Sequence, residues 1–595
     1  MIGILGRTAP PDEGLARRAL AAVPYATPTI AFRRLGEVLL GIATRPDFVD
    51  ESLSAEGDTV AALCGRIDNA PELFRELSAA GAPPASTAAP DVIVAAFRAH
   101  GPAVVNRFRG AFAGLVTDGR TLWAFRDHVG FRVLFWRDDA DAFIAAGEAR
   151  QVVVAAQIPE EPDLTVVEQL YFGGMPSEAP AALKGIQRLS QGAMATVGRD
   201  RALVRERYWR PWGLLETARL SVDDAAERFL ELLKQASARS LTGKDLVFLS
   251  GGLDSPAVAA YAAPQHLRRY GTPIGALSAV FPDLPDVDES ALIDISAKRY
   301  GMALHTYRPR ARALDDVEEW SRRFGSPVPT LSIPEVWEAY SRVRALGYQN
   351  VLTGEFAEIV YGKWPHALSH LFMRGRWGAL YGLMAAEHAR GASRSGLVMD
   401  ALSGLVPGKL ANRYFVSRGH DLSARIPSWI AAGRSRSDLP RPDFLPSGRT
   451  RWRDLQFWGI EGSTVTMEAD ATCAAMAGVT IRRPLADVDL WEFFLSLPAE
   501  IKFPALQWKA LARKALHGVI PDEILDRTKK TYFDPHVMQQ IDYPALSRLL
   551  VAPRHRIGGV DYDELARRIA RQDLSFFDWI SVRELARVHA FLSAW

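Results

Sequence analysis

The sequence predicts an α/β protein of more than one domain, on three observations. At 595 residues the chain exceeds what one core organises, so two to four domains are expected. The first two hundred residues hold short apolar runs with helical stretches between them, the pattern of a layered α/β or α+β domain. Further on, continuous apolar runs at 245–249, 276–281 and 350–352 alternate with helical spacing. That alternation predicts a parallel sheet whose ligand loops lie at the carboxyl ends of its strands.

Composition narrows the class. Hydrophobic residues make up 48% and charged residues 24%, as in an ordinary globular protein. The net charge of +2 gives no global reason to expect nucleic acid or a membrane surface. Cys64 and Cys473 are the only cysteines, which excludes a disulfide framework or a Cys-built zinc site and suits a reducing cytosol. Residues 1–6 lack the basic start and longer apolar stretch of a signal peptide, and no run of 18 apolar residues occurs. A cytoplasmic location is expected.

In order along the chain, residues 30–32, 38–42, 60–64, 115–116, 122–125 and 133–136 read as strands, and 71–80 and 91–99 as helices. Residues 81–90 form an Ala/Pro-rich loop, and no internal repeat appears. Ser221-Val222-Asp223-Asp224 has capping-box character ahead of a helix with Phe229, Leu230, Leu233 and Ala236 on one face. The strand at 245–249 then runs into Ser250-Gly251-Gly252-Leu253-Asp254-Ser255-Pro256. Two glycines permit a sharp turn and close backbone approach to a ligand. Ser255 is placed to cap the following helix and Pro256 to occupy its first position. Such a loop aims free N–H groups and the positive end of a helix dipole at a phosphate. Without the Walker spacing and its lysine it is not a P-loop, and the bland alternative is a chance strand-to-helix turn.

This stretch resembles the pyrophosphate loop of the ATP pyrophosphatases, which adenylate a carboxylate or carbonyl and release pyrophosphate. The resemblance implies that Leu249, Ser250, Gly251, Gly252, Asp254 and Ser255 contact ATP. A second resemblance covers most of residues 1–205. Arg109-Gly110-Ala111-Phe112-Ala113, the run Arg126-Asp127-His128-Val129-Gly130-Phe131-Arg132-Val133-Leu134-Phe135, Gly65-Arg66-Ile67-Asp68-Asn69 and residues 143–148 are similar to the glutaminase domain of glutamine-dependent asparagine synthetases. It implies an Ntn-type αββα sandwich over residues 1–210. Residues 211–595, entered through the linker-like Tyr208-Trp209-Arg210-Pro211-Trp212-Gly213, would form an adenine nucleotide α-hydrolase-like ATP-pyrophosphatase domain with a parallel sheet. The departures carry the functional weight. Where that family has its nucleophilic cysteine this chain has Ile2, which offers no nucleophilic atom. Cys64 stands for the oxyanion Asn and Arg66 for an amine-binding Glu, while Asp91 is retained. The domain is therefore expected to be a degenerate scaffold, with Arg109, Arg126 and Asp127 in structural ion pairs.

Residues 353–362 resemble the second family loop, Ser-Gly-Glu-Gly-Ser-Asp-Glu. By that match Thr353 and Gly354 line the adenosine and α-phosphate, and Asp254 and Glu358 coordinate magnesium. Glu358 is a methylene longer than the family's Asp, so contact through water and a helix-cap role are alternatives. Glu355 falls on the amine side, where asparagine synthetases carry Glu and β-lactam synthetases Tyr; a carboxylate there can take the proton of the incoming amine. Holding a loop N–H is its blander role. Arg482-Arg483-Pro484-Leu485-Ala486-Asp487 and residues 521–530 resemble the family's closing segments, in which Lys529 reaches the phosphates; Lys530 is an adjacent competitor, and a solvated lysine pair is the alternative. Lys509 and Arg513, at i, i+4, are expected on one helix face that ends near Gly518.

Between Lys363 and Arg453 the resemblance fades. This stretch holds fifteen Lys/Arg against five Asp/Glu, interleaved with Trp364, Phe372, Trp377, Tyr381, Tyr414, Phe415 and Trp429. Helical spacing is expected over 368–384 and a Pro/Ser/Arg-rich loop over 435–450. Peptide recognition fits it, and so does an ordinary insertion whose arginines face water and whose aromatics pack a small core.

Together these resemblances imply an AMP-forming, ATP- and magnesium-dependent amide ligase, most similar to lasso-peptide macrolactam synthetases. Such enzymes join a precursor peptide's N-terminal amine to an Asp or Glu side chain, beside a leader peptidase and a leader-binding protein. A β-lactam-type small-molecule synthetase, an ammonia-using asparagine synthetase relative and a non-catalytic peptide binder are the alternatives. Neither nucleic acid nor membrane is an expected partner.

Overall fold

The computed structural model describes residues 1–24, 28–45, 52–173, 180–200, 202–361, 366–405, 427–430, 456, 464–527, 531 and 533–595. Its first part is built from twelve strands: β1 (Ile2–Gly6), β2 (Thr29–Leu35), β3 (Val38–Thr44), β4 (Leu53–Glu56), β5 (Thr59–Ile67), β6 (Gly110–Thr117), β7 (Thr121–Arg126), β8 (Phe135–Asp138), β9 (Ala142–Ala146), β10 (Gln187–Arg188), β11 (Ala193–Gly198) and β12 (Val204–Arg207). They form two six-stranded antiparallel sheets, in the orders β10-β8-β9-β1-β3-β2 and β12-β11-β7-β6-β5-β4. Inner-face residues of both sheets, among them Leu5, Leu40, Ala62, Leu115 and Phe143, share one apolar layer. Helices Glu13–Ala21 and Ala149–Ala156 cover the first sheet, and Ala70–Ala79 and Ala89–His100 the second. This is the αββα sandwich. The strand expected at 133–136 forms two residues later, because Arg126 and Asp127 hold residues 130–132 in a loop.

The second part is organised by a parallel sheet of β13 (Asp245–Phe248), β14 (Gly275–Ala279), β15 (Ala303–Tyr307), β16 (Asn350–Leu352) and β17 (Thr480–Arg482), in the order β15-β14-β13-β16-β17. Every pairing is parallel, as Val247 opposite Ala276 on one side and Leu352 on the other illustrates. Because successive connections leave β13 in opposite directions, the strand order reverses there and opens a crevice beyond its carboxyl end. Helix α1 (Val222–Arg239) starts with the expected capping box, Ser221 and Asp224 bonding each other's backbone N–H. It buries Phe229, Leu232, Leu233 and Ala236 against α2 (Asp254–Tyr270), while Leu230 is only half-buried. Helices α3 (Ser290–Tyr300), α4 (Ile333–Ala345) and α5 (Thr464–Ala477) complete the layers that position the crevice.

The two parts are joined by charge pairs across their boundary. Arg109 Nε lies 2.8 Å from Asp489, Arg188 Nε 3.0 Å from Glu468 and Arg482 3.2 Å from Asp68, and the Trp209 indole donates to Glu492 at 2.9 Å. Arg109 is thus an ion pair as expected. Arg126 likewise pairs with Glu468, 3.7 Å from its Nη2, and also donates to the carbonyls of Arg132, Leu189 and Gly130. Asp127 differs, in that it accepts the backbone N–H groups of residues 129–132. A buried charge is costly unless it is both paired and hydrogen-bonded, and these contacts meet that requirement.

In the basic stretch the single helical span expected over 368–384 is two helices, Ala367–Met373 and Trp377–Ala389, parted at Gly375, whose φ of 65° is left-handed. Trp377 and Tyr381 are exposed, but Trp429 is fully buried in the core. Trp364, Tyr414, Phe415 and the loop expected over 435–450 lie outside the described residues. Among the described residues no helix is long and apolar enough to cross a membrane.

Candidate active site

The crevice is walled by the loop after β13 and the loop after β16. Ser255 does not cap α2 as expected. The helix begins at Asp254, and the Ser255 hydroxyl turns back to accept the Ser250 N–H at 2.9 Å and meet the Ser250 hydroxyl at 3.1 Å. Pro256 accordingly sits inside the first turn rather than at its first position. Nor are the loop's N–H groups free: Gly251 donates to Glu289 at 2.9 Å and Gly252 to the Ser250 hydroxyl at 3.3 Å. Side chains thus brace the turn. Glu289 is held in turn by Arg527 at 2.7 Å and by the Thr531 hydroxyl at 2.7 Å, and Arg527 also reaches the Gly251 carbonyl.

Gly354 brings the second wall against the first. A Cβ there would stand 2.6 Å from the Ser255 nitrogen and 2.8 Å from the Asp254 carbonyl carbon, so only glycine allows this approach. At Gly252 a Cβ would meet nothing nearer than the Ser250 hydroxyl at 3.4 Å, which leaves that side of the turn open to a ligand. Lys509 pairs with Asp254. It does not share the helix face with Arg513 that the spacing predicts. Instead it has φ 60° just before the short helix Ala510–Ala515, and Arg513 points away to the Leu525 carbonyl. Sequence spacing misses Lys509 because its direction comes from a left-handed residue. Tyr361, at the end of the short helix Ala357–Val360 that carries Glu358, is buried; burial and then the Asp254 charge push its phenol well above the ordinary range. Glu358 itself is half-buried. Lys529 and Lys530 lie outside the described residues.

Glu355, exposed at the rim, is tied to a buried set. Its Oε2 accepts from Arg483 Nε at 3.0 Å and from the Thr353 hydroxyl at 3.3 Å. Arg483 also pairs with Asp470, which accepts the Tyr340 hydroxyl at 2.5 Å. Burial pushes the Asp470 carboxyl up to about 6 against the pull of Arg483. Burial opposes the Arg483 charge, yet Asp470 and Glu355 hold it above its ordinary value. The sequence singles out none of Tyr340, Asp470 and Arg483 as a site residue, since they meet only through the tertiary fold.

The residues matched to a glutaminase site do not assemble one. Ile2 is fully buried within the sheet opposite Gly41 and Ala146. Asp91, the retained acid, gives its two oxygens to the hydroxyls of Ser54 and Ser86. Arg66 lies 3.4 Å from Asp68, which reaches on to Arg482.

A carboxylate and an ammonium on a glycine-lined crevice fit a triphosphate and its magnesium. Among the described residues no cluster of three or more His, Cys, Asp or Glu forms a protein-only metal cage, and magnesium asks for only one or two carboxylates beside phosphate oxygens. An Ntn-type sandwich joined to such a crevice defines the class of ATP-dependent, AMP-forming carbon–nitrogen ligases that use ATP and magnesium. Residues 228–589 match the family described as asparagine synthase and residues 34–209 the glutamine amidotransferase domain; the chain belongs to the asparagine synthase family. Relatives include asparagine synthetase [glutamine-hydrolyzing] 3 of Bacillus subtilis, 24% identical over 501 residues that make up 81% of this chain and 76% of that one. A putative asparagine synthetase [glutamine-hydrolyzing] of Mycobacterium bovis is 25% identical over 497 residues, 78% of this chain and 73% of its own. Among solved structures, glutamine phosphoribosylpyrophosphate amidotransferase from B. subtilis, complexed with ADP and GMP, aligns with 51% of this chain and 80% of its own at 13% identity and a TM-score of 0.26.

Proposed function

We propose that this chain is a macrolactam synthetase: it adenylates an Asp or Glu side chain of a precursor peptide and closes it with that peptide's own N-terminal amine. The observation that carries the reading is an asymmetry. The crevice carries Asp254 paired with Lys509 on one wall and Glu355, held by Arg483, at the rim of the other, whereas the nucleophile position of the glutaminase half holds the buried hydrocarbon of Ile2. The amine therefore arrives with a substrate rather than from glutamine. The basic stretch, with Trp377 and Tyr381 exposed on one helix, suits a carboxylate-bearing peptide.

In the first step a carboxylate oxygen attacks the α-phosphorus of ATP and the bond to pyrophosphate breaks. Asp254 would hold magnesium with Glu358 beside it, and bound magnesium supplies positive charge to the phosphate oxygens. Thr353 and Gly354 shape the wall against the nucleotide, and the loop from Leu249 to Ser255 cradles the phosphates. The Lys509 ammonium, and Lys529 with it, neutralise charge developing on the departing pyrophosphate. In the second step the amine nitrogen bonds the acyl carbon, the carbon–oxygen bond to AMP breaks, and the amine proton passes to Glu355. A peptide N-terminal amine has a pKa of roughly 7.7–8.0, so near neutral pH much of it still carries the extra proton and a base is needed to take the proton released as the carbon–nitrogen bond forms. A leader peptidase and a leader-binding protein would deliver the peptide.

Pyrophosphate exchange into ATP tests this with three probes: synthetic peptides carrying a free N-terminus and an internal Asp or Glu, L-aspartate with ammonium, and small β-amino acids. Exchange that requires the peptide, followed by a cyclic product one water lighter, is expected. Exchange driven by L-aspartate or a β-amino acid alone overturns the peptide reading, and the latter favours a β-lactam-type synthetase.

A further inference from the structure

Glu355 is the exposed end of a chain of buried groups that starts in the sheet. The Tyr340 ring stacks on Phe248, the last residue of β13, at 5.7 Å and 15°. Its hydroxyl bonds Asp470, Asp470 holds Arg483, and Arg483 bonds Glu355. The side chain of Arg483 is 7% exposed and that of Glu355 54%. Two phenylalanines grip the guanidinium: Phe131 at 5.3 Å and Phe356 at 5.4 Å, with their own rings edge to face at 5.6 Å. Phe131 comes from the N-terminal sandwich. Phe356 has φ 67°, a strained conformation for an aromatic residue, and it directly follows Glu355.

We propose that Arg483 is a positioning residue for the amide-forming step, and that the N-terminal domain reaches the chemistry through it. Phe131 and Phe356 fix the guanidinium plane, Asp470 and Tyr340 fix its far edge, and Arg483 aims Glu355 at the incoming amine. The proposal rests on the reading of Glu355 as the group that takes the amine proton. A purely structural role leaves the Glu355 contact unexplained. Asp470 already compensates the buried guanidinium, and an ion pair to a half-exposed carboxylate adds little stability. Arg483 and Thr353 both engage Oε2, while among the described residues no hydrogen bond reaches Oε1. Oε1 is thus left for the proton of the nitrogen as the carbon–nitrogen bond forms and the electron pair of the broken carbon–oxygen bond leaves with AMP. Arg483 remains protonated throughout. The N-terminal domain, unable to hydrolyse glutamine, still serves the reaction by holding one face of Arg483.

The test uses full-length protein carrying Arg483→Met, Phe131→Leu or Glu355→Gln, with the synthetic peptide as probe. Arg483→Met and Glu355→Gln are expected to slow amide formation by about 100-fold while pyrophosphate exchange changes less than about twofold. Phe131→Leu, a change in the other domain, is expected to slow amide formation by about tenfold. All three should recover toward wild type as the pH rises above the amine pKa of roughly 8. Loss of exchange and amide formation in equal proportion in Arg483→Met overturns the proposal, because a structural defect would affect both. Full amide formation by Glu355→Gln overturns the underlying reading of Glu355 instead. Crystal structures of wild type and Arg483→Met supply a readout that needs no substrate. Glu355 is expected to leave its place in the variant, and finding it unmoved refutes the positioning role.

Discussion

Two glycine-to-alanine substitutions, at Gly354 and Gly252, separate the architecture of the crevice from its occupancy. At Gly354 the new methyl would lie 2.6 Å and 2.8 Å from backbone atoms of Ser255 and Asp254. Ordinary contact begins near 3.4 Å, so the two walls must part by about 0.6–0.8 Å. Backbone cannot rotate away as a side chain can, and overpacking of this kind costs about 1–3 kcal/mol. A displacement approaching 1 Å at a reacting centre also costs on the order of 100-fold in rate. At Gly252, by contrast, the methyl enters open space beside the Ser250 hydroxyl, so the fold should be unaffected to within about 0.5 kcal/mol. Any loss there comes from the ligand's approach. The assay is urea unfolding alongside pyrophosphate exchange at varied ATP. Gly354→Ala is expected to lose both stability and exchange. Gly252→Ala should keep its stability and lose affinity for ATP by at least about tenfold. Unchanged ATP affinity in Gly252→Ala would refute the placement of the triphosphate against this turn.

Other outcomes follow from the same geometry. Lys509→Met removes the ammonium beside Asp254 and should slow pyrophosphate exchange by about 100-fold or more, measured against unfolding curves that stay close to wild type. Ile2→Cys restores a thiol but not the oxyanion and amine ligands, since Cys64 and Arg66 replace them; glutamate release from glutamine should remain at background. The stability that His589 contributes should fall as the pH drops from about 6.5 toward 4. Burial pushes the His589 imidazole down to about 4, and its Nε2 meets the Tyr562 hydroxyl at 2.8 Å. The folded state thus takes up its proton later than the unfolded chain, and stability present above the unfolded pKa is lost through this window, by about 3 kcal/mol at most. His589→Phe should flatten that part of the pH–stability curve, as read by urea midpoints at successive pH values. Asp489→Ala strips Arg109 and Arg239 of their shared partner at 2.8 and 3.0 Å and should cost about 2 kcal/mol, seen as earlier proteolytic separation of the two parts.

Local sequence pattern determined a good deal here. The Ser221–Asp224 capping box, the strands at 245–248 and 350–352, and the glycine turn after β13 arise from neighbouring residues, because caps, apolar runs and tight turns are short-range events. The absence of a nucleophile was equally plain, since it is a matter of residue type at Ile2. Tertiary structure decided what the side chains do. Ser255 turned from helix cap to loop brace, Lys509 left its expected helix face for Asp254, and Trp429 went into the core rather than onto a binding surface. The set Tyr340–Asp470–Arg483–Glu355 joins residues 130 positions apart at one link and 128 at another, and Phe131 enters it from the other domain. No periodicity encodes such a meeting. It exists only once β16 and β17 lie side by side and the sandwich is seated against them, where burial makes each charge seek the partner that packing provides.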